Sequence, residues 1–511
     1  MCINLDSGPH FNLRRLSPEV KPPEIEGTVR FNNMNFGLAL MRNYDTFEAM
    51  KAVYQYGFLG AILFAIFVFL TLPQLLFGED ARERGEREAR AERIAGQYIV
   101  VLKESVDADS AEKEIIERSH GERLGSYRFA LTGFTARFSE SELSAVTADP
   151  RVAFVSEDRI VSIDGSVRSA AGRSRDDNRA PTSPPPTTPP PSEPPTSAPS
   201  AEAVKTSLQS LPTGINRIDA EGLSNKGAGV SVAVIDTGIQ LSHPDLRTNI
   251  VGGRNCSTGS SFNDGNGHGT HVAGTIAALD NGVGVVGVAP SAKLWAVRVL
   301  NNAGAGSWSS VICGLDFVTS KAPKNGGPIT VANLSLGGGG ASDNNCGNSN
   351  NDALHKAICR ARDAGVTIVV AAGNSGANAA NFIPAAYNDA VITVSALADS
   401  NGVLGGGGPS TPYGADDTFA SFSNWGTPVD IGAPGVSIYS TWIKNGYKSI
   451  SCTSMASPHV AGAAALYIAT HPGALWTEVR NALVSQGEAL GAGHTDPSGR
   501  HPEAVLQADA L

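Results

Sequence analysis

The chain has 511 residues, of which 41% are hydrophobic and 17% are charged, and its formal net charge is -10. This length accommodates two or three domains and at least one large hydrophobic core. The acidic balance leaves no excess of basic residues to neutralise a phosphate backbone, which argues against nucleic acid as a partner. Six cysteines are too few for a disulfide scaffold but allow one or two bridges.

The N-terminal part of the chain contains one strongly apolar segment. Residues 57–78, GFLGAILFAIFVFLTLPQLLFG, carry no charge and are long enough to cross a bilayer. They separate an N-terminal extension, residues 1–56, from a charged spacer, residues 79–95. We expect the segment to meet a membrane, either as a retained anchor or as a cleaved signal. Five arginines follow it in the spacer, and the positive-inside rule would then keep the later domains in the cytosol.

Residues 96–163 have the pattern of a small α+β domain. QYIVVLK and RVAFVSED predict its first and last strands, and SYRFALTGFTARFS predicts a strand pair broken at Thr132-Gly133. DSAEKEIIERSHG predicts one helix, and Ser139 with Glu142 has the capping-box spacing that begins a second. The order β-α-β-β-α-β predicts a ferredoxin-like domain.

Residues 164–205 form a proline-rich linker in this prediction. APTSPPPTTPPPSEPPTSAPS, residues 180–200, holds ten of the thirty prolines and cannot form a packed element. The composition predicts a stiff, extended spacer. A proline-rich ligand for a recognition module is the alternative interpretation.

Residues 206–511 alternate apolar, β-branched runs with helical patterns. The runs that predict strands are VSVAVID, LWAVRVL, ITVANLSL, VTIVVAAG and AVITVSAL. Helices are predicted to begin near His268, Ser307, Asp352 and Ser454. Strands that are apolar on both faces and separated by helices imply an α/β fold with a parallel sheet covered on each side. Ligands bind such sheets outside the carboxyl ends of the strands, so polar residues just past a strand end are candidate site residues.

Three polar residues stand at places of this kind. Asp236 ends the buried strand VSVAVID, His268 begins a helix in GNGHGTHVAGT, and Ser454 begins another in CTSMASPHVAG. A serine hydroxyl is a poor nucleophile unless a base takes its proton, and an imidazole is a good base when a carboxylate fixes its tautomer. Together the three side chains offer a nucleophile, a base and an orienting carboxylate.

These stretches resemble the subtilisin family of serine proteases, whose triad follows the chain order Asp, His, Ser, an order known from that family. The resemblance covers residues 209–511 and implies a subtilisin-like, doubly wound and mainly parallel sheet. It implies a serine endopeptidase that cuts extended polypeptides through an acyl-enzyme. Asp236 would orient the base, His268 would act as general base and acid, and Ser454 would be the nucleophile. His271, the second histidine of HGTH, is expected to be a packed helix residue.

The resemblance also implies the groups that hold the reacting carbonyl and the substrate chain. VVAAGNSG resembles the oxyanion segment of the family, which makes Asn374 a side-chain donor beside the backbone N–H of Ser454. NLSLGG resembles the strand that pairs with an extended peptide, so Ser335, Leu336 and Gly337 are implied to bind substrate.

A structural calcium ion is implied as well, without any catalytic cofactor. Oxygen-only ligation suits a hard cation such as calcium. The implied ligands are the side chains of Gln209, Asp245 and Asn281 and the carbonyl oxygens of Leu279, Val283 and Val285.

The chain departs from the family pattern at Cys452, where the pattern has glycine. Glycine is usual where backbone approaches a ligand closely or takes a positive φ, so the Cβ and sulfur could narrow the cleft or shift the turn that presents Ser454. The expected disulfides join Cys346 with Cys359 and Cys256 with Cys313. This pairing leaves Cys452 as a free thiol.

The small domain, residues 96–163, resembles the inhibitory propeptide of the same family. This implies an intramolecular inhibitor and predicts self-cleavage within residues 164–205. Paired cysteines and a self-inhibited precursor favour an oxidising exterior. We therefore expect export, with the protein secreted or anchored to the outer face of the membrane through residues 57–78.

Two other functional classes fit parts of the sequence. A membrane-tethered, peptide-binding pseudoprotease would keep the groove while Cys452 impairs the site. An esterase of the α/β-hydrolase class is disfavoured because no G-x-S-x-G elbow surrounds Ser454. Labelling by a fluorophosphonate distinguishes a protease from a pseudoprotease, because only an activated serine reacts.

Overall fold

The computed structural model describes residues 93–163 and 209–511. The predicted N-terminal extension, the apolar segment 57–78, the charged spacer up to residue 92 and the linker 164–205 lie outside these ranges. Within them, no helix combines the length and the apolar character needed to span a bilayer.

Residues 93–163 form the predicted β-α-β-β-α-β unit. Its elements are β1 (Arg93–Leu102), α1 (Ala108–Ser119), β2 (Glu122–Tyr127), β3 (Gly133–Arg137), α2 (Glu140–Thr147) and β4 (Val152–Ser162). The strands are antiparallel in the order β2-β3-β1-β4, which is the predicted ferredoxin-like topology. The predicted capping box begins α2: Ser139 Oγ accepts from the N–H of Glu142, and the Glu142 carboxylate accepts from the N–H of Ser139. Ile115 and Val146 pack the two helices against the sheet.

The larger part of the chain, residues 209–511, contains thirteen strands, of which eight form its central sheet. The strands are β5 (Ser231–Asp236), β6 (Ile250–Asn255), β7 (Lys293–Arg298), β8 (Ala305–Ser307), β9 (Ile329–Leu334), β10 (Gly338–Gly339), β11 (Thr367–Ala371), β12 (Phe382–Ile383), β13 (Ile392–Ala398), β14 (Thr418–Phe419), β15 (Ile431–Pro434), β16 (Ile438–Trp442) and β17 (Gly446–Ile450). The order in the central sheet is β14-β13-β11-β9-β5-β7-β6, with β15 beside β13. Its pairs are parallel except β13-β14. All five predicted strands are present in the central sheet. The prediction missed the other three strands of that sheet, β6, β14 and β15, and the strands outside it, β8, β10, β12, β16 and β17.

Helices cover both faces of this sheet, as predicted for strands without a polar face. They are α3 (Thr213–Arg217), α4 (His268–Ala277), α5 (Trp308–Ser320), α6 (Ala353–Asp363), α7 (Thr453–Thr470) and α8 (Trp476–Gln486), with 3-10 turns at Pro323–Asn325 and Ala379–Asn381. Val232 and Val234 of β5 pack into one core with α4 and α7, whereas Ala233 and Ile235 pack into another with α5 and α6. The alternation arises because successive strand residues point to opposite faces. The α/β, doubly wound prediction is thus confirmed.

Candidate active site

Three side chains at the carboxyl edge of the sheet carry the candidate chemistry. Asp236 is the last residue of β5, His268 is the first residue of α4, and Ser454 is the second residue of α7. The two helices pack against one another. Residues far apart in the chain therefore reach the same edge, because parallel strands all end there and the helices begin beyond them.

Asp236 and His268 are in direct contact. His268 Nδ1 lies 2.8 Å from Asp236 Oδ1 and 2.9 Å from Asp236 Oδ2. Both side chains are buried, and the N–H of Thr237 donates to Asp236 Oδ1 at 2.7 Å. Gly269 allows the helix to approach Asp236, since a Cβ there would lie 2.2 Å from the carbonyl oxygen of Gly238 and 3.1 Å from Asp236 Cβ. A carboxylate that accepts from Nδ1 fixes the imidazole so that Nε2 is the nitrogen able to take a proton.

Ser454 is held by an exchange of contacts with the end of β9. Its Oγ donates to the carbonyl of Ser335 at 3.3 Å, and Ser335 Oγ donates to the carbonyl of Ser454 at 2.9 Å. The carbonyl of Ser454 is available because Pro458, four residues later in α7, has no N–H to donate to it. Asn333 supports Ser335, since Asn333 Nδ2 donates to Ser335 Oγ at 2.9 Å. Because Pro458 leaves the Ser454 carbonyl without a helical donor, the hydroxyl of Ser335 can bond to it and link Ser454 to the end of β9.

Asn374 lies in the loop after β11 and lines the same pocket as Ser454. Its Oδ1 accepts from the N–H of Thr453 at 2.8 Å and from Thr453 Oγ1 at 2.9 Å. The loop is shaped by Asn424, whose Nδ2 donates to the carbonyl of Ala372 and whose Oδ1 accepts from the N–H of Ser375. The sequence analysis missed Asn424 and Thr453, because their contacts join segments that are distant in the chain.

Cys452 does not distort the turn before Ser454. Its φ is -176° and its ψ is 157°, an extended backbone that any residue adopts, so a Cβ causes no strain there. The prediction of a free thiol is wrong: Cys452 is disulfide-bonded, and the described residues include no free cysteine. The prediction paired only cysteines that follow the linker and so left Cys452 over.

The two predicted disulfides are present, Cys256–Cys313 and Cys346–Cys359. The second pair lies beside His355 and Asp389 in a group with metal-ligand geometry. Because the two sulfurs are bonded to each other, they offer no thiolate to an ion. We therefore interpret this group as structural.

His271 is a packed residue, as expected. It is fully buried, and its Nε2 lies 2.9 Å from the carbonyl oxygen of Ile438 and 3.0 Å from that of Lys448. These two carbonyls belong to β16 and β17, so His271 fastens this hairpin to α4. Burial lowers the pKa of His271 to about 3.

The predicted substrate-binding strand is paired with the end of the small domain. The N–H of Ser162 donates to the carbonyl of Gly337 at 3.4 Å, and the N–H of Gly337 donates to the carbonyl of Ser162 at 3.2 Å. On its other side, β4 pairs antiparallel with β8.

Ile163 lines a pocket beside Ser454, and none of the described residues that line this pocket is charged. The lining is Ile163, Leu336, Gly337, Gly338, Ala371, Ala372, Gly373, Asn374, Ser375, Phe382, Ile383, Ala385, Thr453 and Ser454. Leu336 and Gly337 thus lie in this cleft, and Ser335 lies beside Ser454.

Two carboxylates, the buried Asp158 and the partly buried Asp316, join the small domain to α5. Asp158 of β4 accepts from the N–H of Ser309 at 3.0 Å, in the first turn of that helix. In the other direction, Asp316 Oδ1 accepts from three successive backbone N–H groups of the small domain, those of Arg128, Phe129 and Ala130. Burial raises the pKa of Asp158 and of Asp316. The small domain and the larger one also share a hydrophobic core, to which Tyr127 and Val161 contribute.

The six predicted calcium ligands lie in one neighbourhood. Gln209 Nε2 donates to the carbonyls of Leu279 and Val285 at 2.8 and 3.1 Å, so both carbonyls face one point. Asn281 Nδ2 lies 3.4 Å from Asp245 Oδ1. Val283 joins the group through its N–H, which donates to Asn281 Oδ1 at 2.9 Å.

The fold and the candidate site define a serine protease of the subtilisin type, and comparison with known proteins agrees with this class. Residues 227–498 match the subtilase family, and residues 97–164 match the peptidase inhibitor I9 family. The chain belongs to the subtilase family and is a subtilisin-type serine endopeptidase preceded by an inhibitor-type propeptide.

Curated relatives carry subtilisin names. Subtilisin DY from Bacillus licheniformis is 45% identical over 292 residues, which cover 55% of this chain and 93% of that protein. Subtilisin Savinase from Lederbergia lenta is 44% identical over 57% of this chain and 96% of its own. Subtilisin amylosacchariticus from Bacillus subtilis subsp. amylosacchariticus is 33% identical over 84% of this chain and 93% of its own. The alternative of a membrane-tethered pseudoprotease is not supported.

Proposed function

We propose that the chain is a self-processed precursor that hydrolyses extended polypeptides through an acyl-enzyme on Ser454. The observation that carries the proposal is the end of β4. It lies extended between β8 and Gly337, paired on both sides, and it leads to the pocket lined by Ser454. A substrate strand would be held in the same manner, with main-chain bonds for affinity and the pocket for side-chain choice.

The proposed reaction needs only groups of this chain and water. Ser454 Oγ attacks the carbonyl carbon while His268 Nε2 takes the hydroxyl proton, and Asp236 stabilises the imidazolium. The carbon–nitrogen bond breaks as His268 gives this proton to the leaving amine. Water then donates a proton to His268 and bonds to the acyl carbon, and Ser454 leaves with the returned proton. Asn374 Nδ2 and the N–H of Ser454 would stabilise the oxyanion in both steps.

The pocket beside Ser454 defines the substrate class that we propose. The described residues that line the pocket are small or apolar, and their polar side chains are amides and hydroxyls. The pocket therefore favours an uncharged substrate side chain next to the bond that is cut. An ionised side chain there would lose hydration without gaining a counter-ion. The expected substrates are unfolded polypeptides, because a folded chain does not present an extended strand.

A structural calcium ion is part of the proposal. The six ligands offer carboxylate, amide and carbonyl oxygens, which is the donor set that calcium prefers. Burial raises the pKa of Asp245 to about 6, a cost of the buried carboxylate that a bound cation would offset. The amide of Gln209 would turn its oxygen toward the ion, since its nitrogen now contacts two carbonyls that would also be ligands.

Export is proposed on the disulfides and the inhibitor-type propeptide. Disulfides form and persist in oxidising compartments, and two are present in the described residues. The membrane role of residues 57–78 stays a prediction that lies outside the described residues.

The test of the proposed function uses the full chain and its Ser454→Ala variant. We expect the wild type to label with a fluorophosphonate and to release its propeptide, and the variant to do neither. Thr470→Ala, which removes an exposed hydroxyl at the far end of the same helix, is the control and should keep both activities. Normal processing of the Ser454→Ala chain in the absence of any other protease would contradict the proposal.

A further inference from the structure

The residue that departs from the family pattern contacts the proposed oxyanion donor. Asn374 Nδ2 lies 3.4 Å from Cys452 Sγ. Cys452 is 1% exposed and occupies the N-cap position of α7, two residues before Ser454. The inference drawn from this contact rests on the proposed function, because it assigns a partner to the oxyanion role of Asn374.

The amide of Asn374 is held at both ends. The backbone N–H and the hydroxyl of Thr453 both donate to Oδ1, at 2.8 and 2.9 Å. These two bonds fix the oxygen, but the amide group can still rotate about it. The sulfur of Cys452 contacts the nitrogen and so restricts this swing. An amide nitrogen has two hydrogens. One is directed to the sulfur, and the other remains for the pocket that Asn374 shares with Ser454.

We propose that Cys452 is a positioning residue for the oxyanion donor: its sulfur accepts one N–H of Asn374 and thereby aims the second at the developing negative charge. Glycine, which the family pattern has here, offers no acceptor. Sulfur is a weak acceptor, so the contact should contribute roughly a three- to tenfold increase in kcat. KM should change little, because the negative charge exists only in the transition state and the intermediate.

The experiment compares four variants of the full chain with the wild type: Cys452→Ala, Cys452→Ser, Asn374→Ala and the Cys452→Ala/Asn374→Ala double variant. A precursor that matures poorly is first processed with a trace of wild-type enzyme. We measure kcat and KM on a short peptide anilide, with active-site titration to count functional enzyme. Cys452→Ala should lower kcat roughly three- to tenfold, and Cys452→Ser, which keeps an acceptor, should stay within about twofold of wild type.

The double variant ties the effect to Asn374. Cys452→Ala should add no further loss when Asn374 is already alanine, because the group that the sulfur positions is then absent. Unchanged kcat in Cys452→Ala would overturn the inference. A loss in Cys452→Ser equal to that in Cys452→Ala would also overturn it, since the effect would then belong to the disulfide. If Asn374→Ala alone has no effect, the proposed oxyanion role fails; subtilisin itself loses about 10²- to 10³-fold when the corresponding donor is removed.

Discussion

Two histidines of one helix have different chemical roles because their surroundings differ. His268 meets the carboxylate of Asp236, whereas His271, three residues later, meets only backbone carbonyls of β16 and β17. Carbonyl oxygens only accept, so His271 Nε2 must carry the proton that it shares between them. A second proton would charge a fully buried ring without a counter-ion, and burial accordingly lowers the pKa of His271 to about 3.

His271 should therefore make folding sensitive to acid. The unfolded chain binds a proton on this residue below about pH 6.5, and the folded chain does so only near its lowered pKa, so the stabilisation is complete above pH 6.5 and is lost as the pH falls toward 3. At pH 5 the loss should be about 2 kcal/mol relative to pH 7. We expect His271→Gln in a Ser454→Ala background to escape this loss. Thermal unfolding of the single and double variants between pH 7 and pH 4.5 measures it.

Other titrating groups cancel in this comparison because both proteins contain them. One is His459, whose pKa burial lowers to about 4. A stability difference between the two proteins that stays constant over the whole pH range would contradict the prediction.

The sequence predicts which residues can react, but not how they are held. The residue types and chain order at Asp236, His268 and Ser454 predict a common site, and the contact of Asp236 with His268 agrees. The role of Ser335 in substrate binding stays a prediction, and the sequence does not show that its hydroxyl donates to the Ser454 carbonyl, which Pro458 leaves without a helical N–H donor. Such a contact joins three distant segments, and no local pattern encodes it.

At the scale of elements, long strands with an unbroken apolar run were predicted, whereas the short buried strands β14 and β15 and the glycine-containing strand β6 were missed. β5 is buried along its whole length, so its apolar run is unbroken, and it was predicted. β6 lies at the edge of the sheet and contains Gly252 and Gly253, and it was missed. Glycine is required at position 253 because a Cβ there would lie 2.2 Å from the carbonyl oxygen of Ala296 in the neighbouring strand β7. The packing that selects these glycines is invisible in a propensity pattern.

The loop of residues 279–285 gives a prediction about calcium. It is joined to the segment at Gln209 and Ser210 by backbone bonds from Gln209 N to the carbonyl of Gly282 and from Ser210 N to that of Gly284. A cation bound only by the folded chain stabilises it by about 2.7 kcal/mol at a hundredfold excess over Kd. Chelation should then lower the Tm of the Ser454→Ala chain by about 3–5 °C.

Asp245→Asn is the matched control for this experiment. It keeps the shape of the carboxylate but removes its charge, so its Tm should be low already and should respond little to calcium or to chelator. Equal Tm values for the Ser454→Ala chain in excess calcium and in excess chelator would exclude the proposed site.

At the scale of the whole molecule, the precursor presents its own strand to its own site. In the antiparallel register, Ser162 faces Gly337, so the position two residues later in a bound strand faces Ser335. The carbonyl of Ser335 accepts from Ser454 Oγ. In a peptide bound in this register, one residue pairs with Gly337. The carbonyl group of the residue two positions after it lies beside the Ser454 hydroxyl. For this chain the bond is that between residues 164 and 165, which lie outside the described residues.

We therefore expect self-processing to produce a new N-terminus at Gly165, and to do so slowly. Residue 164 is an aspartate, and the pocket beside Ser454 has no charged residue in its described lining, so an ionised carboxylate is disfavoured there. Asp164→Asn, which removes the charge at nearly constant shape, should accelerate maturation roughly tenfold or more, and Asp164→Leu should do the same. N-terminal sequencing and intact mass locate the cut, and gel time courses give its rate. An N-terminus elsewhere would show that the register does not continue past Ile163, whereas a correct N-terminus with an unchanged rate in both variants would show that the side chain of residue 164 does not enter the pocket.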